Sequence, residues 1–95
     1  MKIVWSPEAE QDRGDIMEYI AEDNPVAAAR MDDLFARAAA KLSDFPYLGH
    51  AGKVPGTREL IPHESYRLVY EVYGESVRVL ALVNVARQWP PAPDR

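Results

Sequence analysis

The spacing of apolar side chains changes repeatedly along this chain, and each change marks an element. Lys2 to Trp5 puts Ile3 and Trp5 on one side and Val4 on the other, the two-residue period of a strand. Ser6-Pro7-Glu8 then supplies an N-cap, a proline at the first helical position and an acid in the first turn, so a helix starts there. It is expected to run to about Asp23. Its apolar stripe is thin: Ala9, Ile16, Tyr19 and Ile20 share one side, Arg13 falls where a core residue belongs, and Gly14 costs about 1 kcal/mol relative to alanine. Such a helix needs tertiary support.

Asn24-Pro25 repeats the cap-plus-proline signal, so a second helix follows with almost no loop and the two form a hairpin. Ala27, Met31, Leu34, Phe35, Ala38 and Leu42 make its buried stripe, opposite Arg30, Asp33, Arg37 and Lys41. The stretch Asp44-Phe45-Pro46-Tyr47-Leu48-Gly49 ends it, because a residue before proline is pushed out of the helical region. A loop is expected through Gly52, Pro55 and Gly56. Residues 57 to 61 can form a strand that Pro62 stops, which suits a sheet edge.

From Tyr66 the alternation sharpens. Tyr66, Leu68, Tyr70 and Val72 alternate with Arg67, Val69, Glu71 and Tyr73; beyond Gly74-Glu75, Val77, Val79, Ala81 and Val83 alternate with Arg78, Leu80 and Leu82. A two-residue turn with glycine first suits type II′ and predicts a hairpin. Its register sets Val72 opposite Val77 and Tyr70 opposite Val79 on the core face, with Glu71 facing Arg78 on the other. The expected fold is therefore α+β, in the order β-α-α-β-β-β, with an N-terminal helical hairpin packed on one face of a small, mostly antiparallel sheet. At 95 residues the chain makes one domain, 1–95, with a frayed tail at 90–95.

Composition narrows the function classes. At 47% hydrophobic and 27% charged residues the chain is an ordinary globular protein, so whole-chain disorder is not expected. It has no cysteine, which removes disulfides and thiolate metal sites and leaves packing, or a partner, to stabilise it. No run of about 18 apolar residues occurs and the N-terminus has no long apolar stretch, so no membrane association and a cytoplasmic location are expected. Residues 1 to 35 carry nine acids against Lys2, Arg13 and Arg30; residues 36 to 95 carry eight bases against six acids. The halves thus differ by about eight charges, −6 against +2, within a net −4. An acidic whole argues mildly against a strong nucleic-acid binder, although a basic patch in the second half is compatible with the count.

Several local motifs occur in order: Ile16-x-x-Tyr19-Ile20, Asn24-Pro25-x-Ala27-Ala28, Phe45-Pro46-x-x-Gly49, Gly56-Thr57-Arg58-Glu59-Leu60, Tyr66-Arg67-Leu68-Val69-Tyr70 and Ala86-Arg87-Gln88-Trp89-Pro90. In this order and spacing the chain resembles the RelE/ParE toxins of type II toxin-antitoxin pairs, and it is closer to their ParE-like branch. The resemblance implies a cognate antitoxin that wraps and silences the chain. It also implies one of two targets, since some members poison DNA gyrase and others cut messenger RNA on the ribosome.

Candidate residues follow from both sources. Arg67 sits opposite the tyrosine ladder, and in the mRNA-cutting members a strand arginine at the matching place stabilises the scissile phosphate. Its bland alternative is a solvated arginine covering Leu82 across the hairpin. Arg87 ends the last strand and is a similar case. Glu59, beside Arg58, could act as a general base, or could form a strand-edge ion pair worth ~0 to 1 kcal/mol. His63 could carry a proton, but His50 and His63 lack metal-ligand spacing and each can cap a loop instead, so neither a metal nor a cofactor is expected. Trp89 could stack on a base or plug a core edge.

RNA cleavage needs a base, an acid and a phosphate clamp in one pocket, and here Asn84-Val85-Ala86 stands where the nucleases gather histidine or lysine. The leading expectation is accordingly a gyrase inhibitor that acts by binding, with no catalytic residue and with Arg58, Arg67, Arg87, Gln88 and Trp89 toward the target. The runner-up is a ribosome-dependent endoribonuclease using Arg67, Arg87, Glu59 and His63. For the antitoxin, a strand or helix is expected to dock on the acidic helical hairpin, through Ile16, Tyr19, Ile20, Met31 and Phe35, or on an open sheet edge.

Overall fold

The computed structural model describes residues 1–91. Its elements are β1 (Lys2–Trp5), α1 (Pro7–Ala21), α2 (Pro25–Asp44), β2 (His50–Ala51), β3 (Arg58–His63), β4 (Tyr66–Tyr73) and β5 (Ser76–Asn84). They form a five-stranded sheet in the order β1-β5-β4-β3-β2, with the helical hairpin on one face. Every neighbouring pair is antiparallel except β1 with β5, which is parallel. The expected tail lies outside the described residues from 92 onward.

Both helix starts form as their capping residues dictate. The Ser6 hydroxyl accepts from the Ala9 amide at 3.0 Å and the Asn24 side-chain oxygen accepts from the Ala27 amide at 3.0 Å, with proline at the first turn of each helix. Helix α1 stops at Ala21, two residues short of the expected end, so that the Asn24 cap can follow. Arg13, misplaced for a core residue, forms a bidentate pair with Asp32 of α2 and lies 4.8 Å from the centre of the Trp5 ring. The hairpin is thus joined by charge where it lacks apolar surface.

The core lies between the helices and the sheet. Ala9, Phe35, Ala39 and Leu42 meet Leu68, Tyr70, Val77, Val79 and Leu82, all buried. Phe35 stands edge-on to Tyr66, ring centres 5.5 Å apart. The small residues at positions 9 and 39 let both helices approach the sheet closely.

The β4–β5 hairpin begins in the expected register, Val72 with Val77, Glu71 with Arg78 and Tyr70 with Val79. Gly74 has φ +58 and is the only left-handed residue of the turn, as a glycine-first turn requires. A bulge then takes Leu80 out of the ladder, so Val69 pairs with Ala81, Leu68 with Leu82 and Arg67 with Val83. Ala81 and Val83 therefore leave the core face on which simple alternation put them, and Leu82 joins the core. Helix α1 satisfies polar groups at this bulge. The Ser6 hydroxyl donates to the Leu80 carbonyl at 3.3 Å, and the Leu82 amide donates to Asp12 Oδ2 at 3.1 Å.

Two further differences concern the far edge. His50–Ala51 pairs with Glu59 and Arg58 as a two-residue strand inside the expected loop. β3 runs through Pro62 rather than ending before it, with an irregularity between Leu60 and His63. Pro62 is tolerated because β2 reaches only Arg58 and Glu59, so no strand needs an amide from it on the outer side.

Candidate functional site

Strand alternation sends Tyr66, Leu68 and Tyr70 toward the helices and Arg67, Val69 and Glu71 to the opposite face. Across that face Glu59, Val69 and Ala81 stand in one row, Glu59 only 5% exposed and Val69 fully buried, although no helix covers them. Contacts reach this face from two irregular segments. The Lys53 amide donates to Glu59 Oε2 at 3.3 Å, and the Arg87 carbonyl accepts from Arg67 Nη2 at 2.6 Å.

Arg67 is the centre of the arrangement. Its Nη1 lies 3.4 Å from Glu59 Oε1, its side chain is 18% exposed, and its Nε is buried with no acceptor. A buried donor left unmatched by protein costs about 1 to 3 kcal/mol. Arg67 does not cover Leu82, which is in the core; it stands opposite Val83. Beyond its carbonyl, Arg87 is exposed, as is Gln88, while Trp89 is half-buried. No acid lies within ion-pair distance of Arg87 among the described residues.

The remaining candidates are elsewhere. Arg58 pairs with Tyr70 in the ladder, and its guanidinium holds the loop after α2, donating to the Gly49 carbonyl at 2.9 Å and the Tyr47 carbonyl at 3.2 Å. Tyr70, fully buried, grips the same loop: its hydroxyl donates to the Pro46 carbonyl at 2.8 Å and accepts from the Gly49 amide at 2.9 Å. His63 closes the β3–β4 turn, its Nδ1 accepting from the Ser65 amide at 3.1 Å. The structure thus brings Glu59, Arg67 and the Arg87 backbone together and leaves Arg58 and His63 in separate roles.

On the helical hairpin, Tyr19 is 73% exposed, and Ile16, Ile20 and Met31 are half-buried. Phe35 is a correction: it is fully buried against Tyr66 and presents nothing to a partner, because the stripe of α2 that carries it faces the sheet. Asp12 escaped the sequence reading. Its carboxyl sits above the usual carboxylate range, raised first by burial, partly offset by the Leu82 amide, and raised further by Asp15 and Glu8. Nothing local in the sequence distinguishes it from the other acids of α1. Among the described residues, no group of three or more histidines or acids is placed to hold a metal ion, and no helix is long and apolar enough to cross a membrane.

Comparison with known proteins adds the family. Residues 3–89 match the family described as ParE toxin of type II toxin-antitoxin system, parDE. The candidate toxin Y4kP of Sinorhizobium fredii is 31% identical over 90 residues, covering 94% of this chain and 93% of that protein. Among solved structures, the chromosomal ParDE system of P. aeruginosa superposes with a TM-score of 0.78 at 21% identity, over 90% of this chain and 96% of that one. A YoeB/ParE toxin from Agrobacterium tumefaciens gives 0.64 at 21% identity, over 88% and 98%. At such identities the two structures speak for the fold alone.

Proposed function

The chain belongs to the ParE toxin family of type II toxin-antitoxin systems, and from that premise we propose that it arrests growth by binding DNA gyrase, without chemistry of its own, and is neutralised by a cognate antitoxin. The observation that carries this reading is the internal use of its acid and base candidates. Glu59 is buried and already accepts from Lys53 and Arg67, and Nδ1 of His63 is occupied by its own turn. Among the described residues, no exposed acid–base pair stands beside Arg67. The exposed cation and amide of Arg87 and Gln88, with Trp89 beside them, are then the target contact, and Arg67 holds that segment through the Arg87 carbonyl.

Purified chain titrated into a supercoiling reaction tests this. Loss of supercoiling supports gyrase binding, and normal supercoiling under excess toxin refutes it. One observation favours the endoribonuclease reading: the unmatched Nε–H of Arg67 is a donor that a phosphate oxygen could accept from. On that reading Arg67 and Arg87 hold the phosphate and Glu59 or His63 carries the proton, and messenger RNA on programmed ribosomes is cut.

A further inference from the structure

The last strand hands the chain over to its exposed C-terminal segment through one residue, Asn84. The side-chain Oδ1 of Asn84 accepts from the Ala86 amide at 2.9 Å, and its backbone carbonyl accepts from the Arg87 amide at 2.9 Å. The first bond makes an Asx turn and the second a β-turn, both closed by the same residue. A backbone amide can only donate, so the oxygen and not the nitrogen of the Asn84 side chain faces Ala86. Two more bonds complete the segment. The Val85 amide donates to the Ser65 carbonyl at 2.9 Å, and Arg67 Nη2 donates to the Arg87 carbonyl at 2.6 Å.

Burial does not hold this stretch. Val85 is 43% exposed, and Ala86, Arg87 and Gln88 are exposed as well. Its course is set by hydrogen bonds, and the Arg87 peptide groups are pinned on both sides, the amide by Asn84 and the carbonyl by Arg67. Of the four bonds, two join backbone to backbone and survive most substitutions; the other two depend on the side chains of Asn84 and Arg67. An asparagine amide has no titratable proton, so what Asn84 adds is geometry rather than acid–base chemistry. A segment fixed before it meets a target loses less freedom on binding.

We propose that Asn84 is a positioning residue for the toxin's target contact: its side-chain bond to the Ala86 amide folds residues 85–87 into the turn that presents Arg87 and Gln88. The proposal rests on the gyrase reading and adds to it a residue that acts through the shape of its neighbours rather than by touching the target.

The test is a supercoiling assay with purified gyrase, titrated with the full chain and with three variants at position 84. Asn84→Ala should raise the concentration for half-inhibition about three- to tenfold, the range that follows from losing one net hydrogen bond. Asn84→Asp keeps the acceptor and should inhibit like the parent, and Asn84→Ser, a weaker former of the same turn, should fall between. Circular dichroism melts establish that each variant is folded. Hydrogen exchange at the Ala86 amide should quicken in Asn84→Ala and stay as slow as in the parent in Asn84→Asp; unchanged exchange in Asn84→Ala overturns the turn as described. Inhibition by Asn84→Ala equal to that of the parent overturns the positioning role and leaves the gyrase reading standing. If Asn84→Asp and Asn84→Ser are folded yet both as weak as Asn84→Ala, the side-chain amide meets the target directly, and the positioning role is again overturned. A parent chain that leaves supercoiling untouched overturns the gyrase reading and this proposal with it.

Discussion

Removing Arg67 separates its structural role from any chemical one. Arg67→Met leaves the Glu59 carboxylate, 5% exposed, without its counter-charge and removes the bond that holds the Arg87 carbonyl. Breaking a fully buried pair by deleting one partner costs about 3 to 5 kcal/mol. Here the contact is 3.4 Å long and Arg67 keeps 18% exposure, so a smaller cost, about 2 to 3 kcal/mol, is expected. In a domain of this size that lowers the melting temperature by roughly 8 to 24 °C. Replacing both partners, Glu59→Leu with Arg67→Met, removes both buried charges and should return most of the loss. A double-mutant cycle by urea unfolding, with Glu59→Leu alone as the fourth corner, measures the coupling, expected to be about 2 kcal/mol. Growth arrest is scored on the same set. A double variant as unstable as Arg67→Met refutes the ion-pair argument. A double variant that is stable yet harmless shows that toxicity needs Arg67 beyond its pairing with Glu59, through its hold on the Arg87 carbonyl or at the target itself.

Tyr70→Phe should cost about 1 to 3 kcal/mol, because the buried Gly49 amide loses its acceptor; a melt within 2 °C of the parent would refute the loop-clamp role. Gly49→Ala should cost a similar amount, about 1 to 3 kcal/mol, since its Cβ would stand 2.6 Å from the Glu59 carbonyl oxygen and 2.9 Å from Tyr70 Cε1. The two changes act on one loop, so together they should cost less than their sum, measured by urea midpoint. For Asp12 the folded carboxyl titrates above its unfolded value, so the folded state binds the extra proton between the two and stability falls as pH rises through that window. Asp12→Asn keeps an acceptor for the Leu82 amide and abolishes the penalty. Its stability advantage over the parent should therefore grow as pH rises above the ordinary aspartate value of 3.8 and level off once the folded carboxyl is ionised; an advantage independent of pH would count against burial as the cause.

Features set by neighbouring residues were legible in the sequence. Both N-caps, both helix-initiating prolines, the glycine-first hairpin and its first pairs depend on contacts a few residues long. The family motifs were legible too, but for a reason visible only in three dimensions. Phe45-Pro46-x-x-Gly49, Arg58 and Tyr70 lock into one another through a hydroxyl, a guanidinium and a glycine with no room for a Cβ. Those words encode the fold more than the chemistry. The bulge at Leu80 was hidden because its polar partners, Ser6 and Asp12, lie some seventy residues away in sequence, and it alone moved Val83 to the Arg67 face. Phe35 was misread because an apolar helix stripe looks the same whether a sheet or a partner covers it. The link from Arg67 to a backbone carbonyl carries no sequence signal at all, since any residue at 87 has that oxygen.

The parallel pairing of β1 with β5 bears on when this fold can close. Among the described residues, β1 has β5 as its only strand neighbour, Lys2 beside Ser76 and Trp5 beside Val79. Until those late residues leave the ribosome, at roughly 5 to 20 residues per second, the early hairpin lacks the β5 part of its core, Val77, Val79 and Leu82. A growing chain that still lacks β5 is therefore an unfinished fold. A chain ending before Ser76 should show no cooperative melt; a sharp transition in that fragment would contradict this timing.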